Sequence, residues 1–424
     1  MLEPQSWLKK PATSKSYLFM PPSPFLNAKR LRDYPRLVLG VEICILGFNA
    51  LLGEGWMGAL KQIIGSDFIM LYSGGLLYRQ DLPALYDFLR QGEIQKELLA
   101  PTPFWGIMPY NYPPYAAMAA SALTHLPLPL AFGLWTLLTI VAVLLAARWL
   151  YQYLTPEWLK QAGLTYPQLL VLTFSFFPFI EGLQVGQNHG LTLLLVAGAT
   201  AFTLRGSGFL AGILAGLLIY KPQFVLGFLI VWLAWGKFKP LAGFLVASMS
   251  WAGSFALLHG LAPYQEYLAN LPLLLKMPYL EGFGGYLEVT LYGLLITILP
   301  PAWWQGIWTF TQLSAILLGL ALGAYARLTR KDPRSHQKPA LILAILYPLL
   351  VSPHTLLHDL VILVPLFLLW ADADRSRRLL YLCAGIYLAV LFLPPITHTS
   401  GIALLALIPL ILAIRQVRQL LKAG

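Results

Sequence analysis

The sequence predicts an all-α polytopic membrane protein, from its composition, its apolar runs and its charge distribution. Of the 424 residues, 58% are hydrophobic and 11% are charged, and the mean hydropathy is +0.67. Soluble domains carry roughly 25% charged residues, so this composition favours an integral membrane protein. Unbroken apolar runs such as 129–147 and 379–393 indicate helices, because the strands of a membrane barrel would alternate apolar and polar residues.

The basic residues orient the predicted helices. They fall in short clusters between the apolar runs, which is typical of cytoplasmic loops. The clusters hold Lys29, Arg30, Arg32 and Arg36; Lys237 and Lys239; Arg327, Arg330, Lys331, Arg334 and Lys338; Arg375, Arg377 and Arg378; and Arg415, Arg418 and Lys422. On the cytoplasmic side they would face anionic lipid, so the net charge of +11 requires no nucleic-acid partner. We therefore expect a plasma (inner) membrane protein surrounded by lipid, with both termini in the cytoplasm.

Placing those clusters inside yields about twelve transmembrane helices. The predicted ranges are 37–62, 130–153, 166–183, 188–205, 207–221, 222–236, 240–259, 303–326, 339–353, 355–371, 378–395 and 400–417. They form a single transmembrane domain, 37–417, between a basic cytoplasmic segment, 1–36, and a cytoplasmic tail, 418–424. Polar, basic residues precede the first apolar run, so we expect a retained anchor and no cleaved signal.

The predicted outer side carries most of the polar residues. Two long loops lie there, 63–129 and 260–302, together with four tight turns. The apolar stretches 115–126 and 286–299 within these loops are too short to span, and counting either as a span would invert every later basic loop. We expect both to be juxtamembrane or re-entrant helices on the outer face, covered by protein or lining a cavity.

Asp67 is the first candidate site residue. Charge close to hydrocarbon is costly, and in membrane proteins it marks functional positions. The nearest basic residue in the sequence is Lys61, so no local salt bridge explains the acid. It is a candidate catalytic base; the alternatives are a helix N-cap made by Ser66 or Asp67, and a solvated loop acid.

Lys221 and the pair His354 and His358 are candidate ligands for an anion. Lys221 is predicted at an outer turn, where a buried ammonium needs an anion such as phosphate, and snorkelling to the interface is the alternative. Gln223 adds a donor beside it. The histidines are spaced i, i+4 and would share a face if helical. They could donate to a phosphate, bind a metal, or form hydrogen bonds within the bundle. No clear third ligand accompanies them, so we expect no metal.

Polar residues at another turn are candidates for binding a sugar. Gln187 and Asn188 separate two apolar runs, Glu181 comes just before them, and Tyr112 opens a Tyr-Pro-Pro segment. Such side chains can pair with sugar hydroxyls, which need partners when they are buried. The alternatives are a plain interfacial turn for the amides and a simple helix start for the tyrosine and its prolines.

Taken in order, these segments resemble the polyprenol-phosphate-mannose-dependent glycosyltransferases of family 87, within the GT-C superfamily. The similarity covers roughly residues 60–370. It is carried by Asp67-Phe68, Leu85-Tyr86-Asp87, Tyr112-Pro113-Pro114, Gly186-Gln187-Asn188, Lys221-Pro222-Gln223, and Ser352-Pro353-His354 with His358-Asp359. The segment 75–80, between the first acid and the Leu-Tyr-Asp motif, departs from the family pattern.

The resemblance implies a GT-C-like bundle and a transferase that uses a polyprenyl-phosphate-linked sugar, either mannose or another hexose or pentose. The acceptor would be a hydroxyl of a glycolipid or glycan on the outer face. Asp67 occupies the position of the family's catalytic aspartate, so we expect it to act as general base with inversion. Lys221, His354 and His358 would stabilise the leaving phosphate, and no cofactor is expected beyond the donor itself.

Transport is the main alternative function. A permease or flippase for lipid-linked sugars would also place polar residues in a helical bundle, and a non-enzymatic scaffold is a third reading. Transporters usually bind their substrates near the midplane, whereas the polar residues here are predicted on one side. Geometry separates these functions, because the enzyme requires Asp67, Lys221 and the two histidines to converge on one cavity.

Overall fold

The structure is a computed structural model that describes residues 28–276 and 285–423. Most of the predicted N-terminal segment 1–36 therefore lies outside the described residues, as do 277–284 of the second outer loop and Gly424 of the tail. Within the described residues the regular structure is helical, with isolated β-bridges in the connections. The all-α prediction is confirmed.

The helices of the first half of the chain supply much of the site. They are α1 (Ala28–Leu51), α2 (Ser66–Gln80), α3 (Phe88–Leu99), α4 (Pro114–Ser121), α5 (Leu128–Trp149), α6 (Glu157–Gln161), α7 (Tyr166–Phe174), α8 (Phe177–Val185), α9 (His189–Leu204), α10 (Gly208–Leu217) and α11 (Gln223–Trp235). The later helices are α12 (Phe238–Ser248), α13 (Ser254–His259), α14 (Ala262–Leu274), α15 (Leu291–Ile298), α16 (Trp304–Thr329), α17 (Pro333–Val351), α18 (Leu363–Ala373), α19 (Arg377–Ser400) and α20 (Leu407–Ala423). A 3₁₀ turn, Leu357–Ile362, precedes α18 and enters the site.

Six helical segments of the described chain are long and apolar enough to cross a membrane. They are Lys29–Leu51, Leu128–Leu154, Phe238–His259, Pro301–Thr329, Arg377–Ser400 and Leu404–Lys422. A seventh results if α7 and α8, which are bent by 61°, count as one broken span. Each of the twelve predicted ranges contains helix, but α9, α10 and α11 are short apolar helices that do not pass the length criterion. A multi-span protein is confirmed, and the number of about twelve remains a prediction.

The first predicted helix, 37–62, ends earlier than expected, at Leu51. The chain turns sharply there because Gly53 has no side chain: a Cβ at this position would lie 2.4 Å from the Met57 carbonyl oxygen. The Asn49 side chain closes the turn by accepting a hydrogen bond from the Leu60 amide at 2.8 Å. The chain then reaches α2, which carries Asp67 in its first turn.

The two stretches that were expected not to span are indeed short helices. The stretch 115–126 forms α4 and a 3₁₀ turn, and 286–299 contains α15; both α-helices have 8 residues. The helix α4 packs closely on α2, because a Cβ on Gly75 would lie 2.8 Å from the Ala120 carbonyl carbon. The helix α3 also packs on α2, so the first predicted outer loop contains a folded unit of α2, α3 and α4.

The polar turns and the basic clusters lie at opposite ends of the same helices. The helix α9 begins at His189 and ends at Leu204, one residue before Arg205. The helix α11 begins two residues after Lys221 and ends two residues before Lys237. At a rise of about 1.5 Å per residue, these helices separate the two ends by roughly 20 Å. These two helices therefore have the candidate site at one end and basic residues at the other.

Candidate active site

Asp67 is neither a cap nor a solvated loop acid. The residue before α2 is Gly65, which has a left-handed φ of 73° and no side chain, so no side-chain cap is present. The Asp67 carboxylate instead accepts a hydrogen bond from Gln187 Nε2 through its Oδ2, at 2.7 Å. The helix cap and the solvated loop acid are therefore both excluded as explanations of Asp67. Its carboxylate faces the turn between α8 and α9.

Gly186 makes this turn and brings Gln187 to the carboxylate. Its φ is 73°, and a Cβ there would lie 2.6 Å from the Phe68 Cβ. The Trp135 indole donates to the Gly186 carbonyl at 2.8 Å, and the Gly65 amide donates to the Gln184 carbonyl at 2.8 Å. Only glycine fits between these contacts, because an L side chain would be strained in backbone and would clash.

Three of the four sugar-binding candidates, Tyr112, Gln187 and Asn188, form one hydrogen-bonded cluster. The Tyr112 hydroxyl donates to Gln187 Oε1 at 2.8 Å and accepts from Asn188 Nδ2 at 3.0 Å. Both amides are buried, and Asn188 Oδ1 has no hydrogen-bond partner among the described residues. A buried acceptor without a partner is costly, so this oxygen is suited to accept from a ligand hydroxyl.

Two buried glutamines of α3 hold the segment that carries Tyr112. Gln95 exchanges two hydrogen bonds with the Met108 backbone, at 2.7 and 2.8 Å, and Gln91 accepts from the Tyr110 amide at 2.9 Å. The Tyr86 hydroxyl donates to the Tyr112 carbonyl at 2.8 Å. Sequence reasoning missed the glutamines, although two amides spaced i, i+4 lie on one face of a helix and can together contact a neighbouring segment.

Lys221 is paired with an acid that the sequence analysis placed beside the histidines. Its Nζ donates to Asp359 Oδ1 at 2.7 Å, and the two side chains are only 8% and 4% exposed. Burial acts to raise the pKa of Asp359, but the Lys221 ammonium, together with His358, outweighs it and holds that pKa below its usual value. The buried ammonium therefore has its anion within the protein.

The two histidines do not share a helix face. The residues 352–356 are not helical, and His358 lies in the 3₁₀ turn that follows. His358 Nδ1 donates to Glu181 Oε2 at 3.2 Å, whereas His354 Nδ1 donates to Glu288 Oε1 at 2.7 Å. No helix runs through both residues, so they have no common helix face. Each ring is held by a different carboxylate.

The charges of these groups act on one another across a single site. Burial and the nearby Glu181 carboxylate raise the pKa of Asp67 above its usual value, while His358, Lys221 and the Gln187 hydrogen bond act in the opposite direction. Burial lowers the pKa of His358, but Asp359 and Glu181 outweigh it, so that pKa lies above its usual value. Asp67 and His358 lie outside the six membrane-crossing segments. The site thus combines a carboxylate that can take a proton with cations that can bind an anion.

The other predicted residues border this centre. Gln223 Nε2 donates to the His354 carbonyl at 3.5 Å, so it braces the backbone beside the ring. In the described chain, no group of three or more His, Cys, Asp and Glu side chains has the arrangement of a metal site. Sequence reasoning did not identify Glu288 as a site residue. The feature that could have indicated it is its position as a lone acid inside the apolar stretch 286–299.

Comparison with known proteins assigns the family. The model of glycosyltransferase family 87 matches residues 110–353, which is more than half of the chain. The match contains Tyr112, Gln187 and Lys221, whereas Asp67 and the two histidines lie outside it. No curated protein and no solved structure matches the chain. With its helical, multi-span fold and the ordered motifs along its sequence, the chain belongs to glycosyltransferase family 87.

Proposed function

We propose that this family 87 member transfers a sugar from a polyprenyl-phosphate-linked donor to a hydroxyl of a glycolipid or glycan acceptor, with inversion. One observation carries the proposal: the Asp67 carboxylate, held by Gln187, lies in the same electrostatic site as His358, Glu181 and Lys221. A base beside an anion site is what the transfer requires, because the acceptor must lose a proton as the phosphate leaves.

In the proposed reaction Asp67 takes the proton of the acceptor hydroxyl. The hydroxyl oxygen then forms a bond to the anomeric carbon, and the bond from that carbon to the phosphate oxygen breaks, with its electron pair leaving on the phosphate. Burial raises the pKa of Asp67, which makes its carboxylate a better base than an exposed aspartate. The leaving phosphate is a stable anion, so a second carboxylic acid is not needed, in contrast to many glycosidases.

The donor phosphate is assigned to Lys221, His354 and His358. The pKa values of both histidines lie above the usual value because nearby carboxylates outweigh the effect of burial, which favours imidazolium near neutral pH. Lys221 uses one N–H for Asp359 and has two more donors for a phosphate oxygen. Gln223 supports this group through the His354 backbone.

The sugar hydroxyls are assigned to Tyr112, Gln187, Asn188 and Glu181. The first three already form one network that ends at Asp67, so a hydroxyl bound there lies close to the base. The unpartnered Asn188 Oδ1 supplies an acceptor for such a hydroxyl.

We also propose that the site faces the outer compartment, in a GT-C-like bundle of about twelve spans. The support is the opposition between the site and the basic clusters along α9 and α11, since basic loops remain in the cytoplasm. Single cysteines at Glu93 and Arg377, in a chain lacking Cys44 and Cys383, test the orientation with an impermeant maleimide in whole cells. Labelling at residue 377 without labelling at residue 93 would invert the assignment.

The main test is transfer by the purified full chain with a panel of polyprenyl-phosphate sugars. Asp67→Asn should lower kcat by about 100-fold or more, since general-base catalysis contributes 10²–10⁴-fold. Asp81→Asn is the matched control, because Asp81 is an exposed acid at the other end of α2. Full activity of Asp67→Asn would end the catalytic assignment. Movement of a lipid-linked sugar across proteoliposomes without transfer would instead support a flippase.

A further inference from the structure

Glu288 is the most deeply buried acid near the site. Its side chain is fully buried, and each carboxylate oxygen has a partner: Oε1 accepts from His354 Nδ1 at 2.7 Å, and Oε2 accepts from the Thr355 amide at 3.0 Å. A carboxylate at this depth is tolerated only where it is paired and hydrogen-bonded. Its partners are two consecutive residues of the site turn, so the acid fixes that turn as well as the ring.

The backbone around Glu288 is built to deliver it to this position. The Val289 amide donates to the Thr355 carbonyl at 2.9 Å, beside a bridge between Glu288 and Leu356. Gly293, in the first turn of α15, makes room for the acid, because a Cβ there would lie 2.3 Å from the Glu288 Cβ. This docking joins α15 to the site across 66 residues of sequence.

The hydrogen bond determines which nitrogen of His354 is available. Since Nδ1–H is used by the carboxylate, Nε2 is the atom left to meet a ligand. The His354 side chain is 30% exposed, whereas those of Lys221 and His358 are 8% and 3% exposed. His354 is therefore the most open of the three candidate phosphate ligands, with its charge partner entirely enclosed behind it.

We propose that Glu288 is a positioning residue for the donor phosphate: it turns His354 so that a charged Nε2–H is presented to the anion. This inference rests on the proposed function. Three charged groups face His354, namely Glu288, Asp359 and Lys221. Burial and Lys221 act to lower the pKa of His354, but Glu288 and Asp359 outweigh them and raise it. Glu288 has the largest of the effects that raise the pKa of His354, so removing its charge should lower that pKa.

The second histidine is held differently. Its contact with Glu181 is longer, at 3.2 Å, and its Nε2 lies 3.8 Å from Asp359 Oδ2. Because His358 is enclosed between two acids, we expect loss of Glu288 to act on the phosphate through His354 alone. A variant that lacks the His354 ring should therefore hide any further effect of Glu288.

The test compares Glu288→Gln with the wild type in the full chain, reading both the donor KM and the pH profile. Glutamine keeps the shape and one acceptor but removes the charge. At pH 8 the donor KM should rise about tenfold, since a charge-assisted hydrogen bond becomes a neutral one. The alkaline limb of kcat/KM should move to lower pH, and activity should recover near pH 6. Glu266→Gln, an exposed acid of α14, is the control.

Two further variants separate positioning from a structural role. His354→Ala combined with Glu288→Gln should behave as His354→Ala does, and Glu288→Asp should restore part of the alkaline limb. A Glu288→Gln enzyme with lower kcat at every pH, and an unmoved alkaline limb, would overturn the proposal. If Glu288→Gln does not fold, Glu288→Asp and His354→Gln keep the proposal testable: Glu288→Asp should retain part of the alkaline limb, and His354→Gln, which keeps an N–H donor but cannot be charged, should show the raised donor KM at pH 6 as well as at pH 8.

A binding measurement tests the positioning role of Glu288 separately from the proposed transferase function. Farnesyl phosphate, a short polyprenyl phosphate, can be titrated calorimetrically into the wild type and Glu288→Gln at pH 6 and pH 8. We expect weaker binding by the variant at pH 8 and similar binding at pH 6. A wild type that transfers no sugar yet shows this pattern would overturn the transferase and keep the positioning role. If the wild type and Glu288→Gln bind farnesyl phosphate equally well at pH 6 and equally well at pH 8, the positioning role is overturned and the proposed function is not.

Discussion

The buried pair of Lys221 and Asp359 offers the sharpest stability prediction. Lys221→Met leaves the Asp359 carboxylate enclosed, with only the Leu356 amide donating to Oδ2 at 3.2 Å and with His358 at 3.8 Å. Breaking one side of a buried pair costs about 3–5 kcal/mol, because the remaining charge is desolvated and unpaired. An unfolding entropy of about 2.1 cal/mol/K per residue makes 1 kcal/mol roughly 1 °C for a chain of this length. We therefore expect Tm to fall by roughly 3–6 °C.

A second variant removes the orphaned charge. In Lys221→Met with Asp359→Asn both members of the pair are neutral, and the asparagine oxygen can still accept from the Leu356 amide. Most of the lost stability should return, as it does when both members of a buried pair are replaced. Donor binding should stay impaired, about tenfold in KM, because the ammonium that we propose to bind the phosphate is still missing.

The assays are thermal unfolding in detergent and transfer kinetics over a range of donor concentrations. Lys96→Met is the control, because Lys96 is exposed and lies 5.7 Å from the Trp105 ring, a contact of about 1 kcal/mol or less. A single variant that loses less than about 1 kcal/mol would refute the buried-pair argument. A double variant with normal donor KM would restrict Lys221 to a structural role.

Three further predictions follow from the same geometry. The pH profile of kcat/KM should be bell-shaped. Burial raises the pKa of Asp67, so the acid limb should lie at a pH above the usual aspartate range, and the raised pKa of His354 places the alkaline limb above about pH 6.5. An acid limb at the usual aspartate value would contradict this. Gly186→Ala should lower stability and transfer more than Gly236→Ala, which has a similar φ of 69° but no neighbour within 4 Å, so equal losses would exclude the clash with Phe68. Glu42, in α1, has two buried oxygens without partners among the described residues, so Glu42→Gln should leave Tm unchanged or raise it, and a clear fall in Tm would reveal a partner.

The sequence predicted the fold class and the broad location of the helices. Apolar runs and basic clusters are local features, and each of the twelve predicted ranges contains helix. Helix ends were predicted less well: α1 ends at Leu51 because Gly53 permits a close backbone contact that no local pattern reveals. The number of crossings does not follow from the sequence, because the placement of short helices such as α10 depends on their neighbours more than on their own length.

The sequence predicted which residues contribute to the candidate site better than it predicted which of them are paired. Asp67 and Gln187 were both chosen from the sequence, but their hydrogen bond joins residues 120 positions apart. His354 and His358 were expected to act alike if helical. The irregular backbone between them instead sends each ring to a different acid. Glu288 was overlooked because its role depends entirely on the turn that it meets.

By itself, the sequence determined that this is a helical membrane protein with the ordered motifs of glycosyltransferase family 87, because composition and short motifs are properties of neighbouring residues. Only the tertiary structure decided that Asp359 neutralises Lys221 across 138 residues and that Glu288 holds His354. The physical reason is that a buried charge takes its partner from whichever helices pack around it. That packing, and not the spacing of residues along the chain, sets the charge of the site.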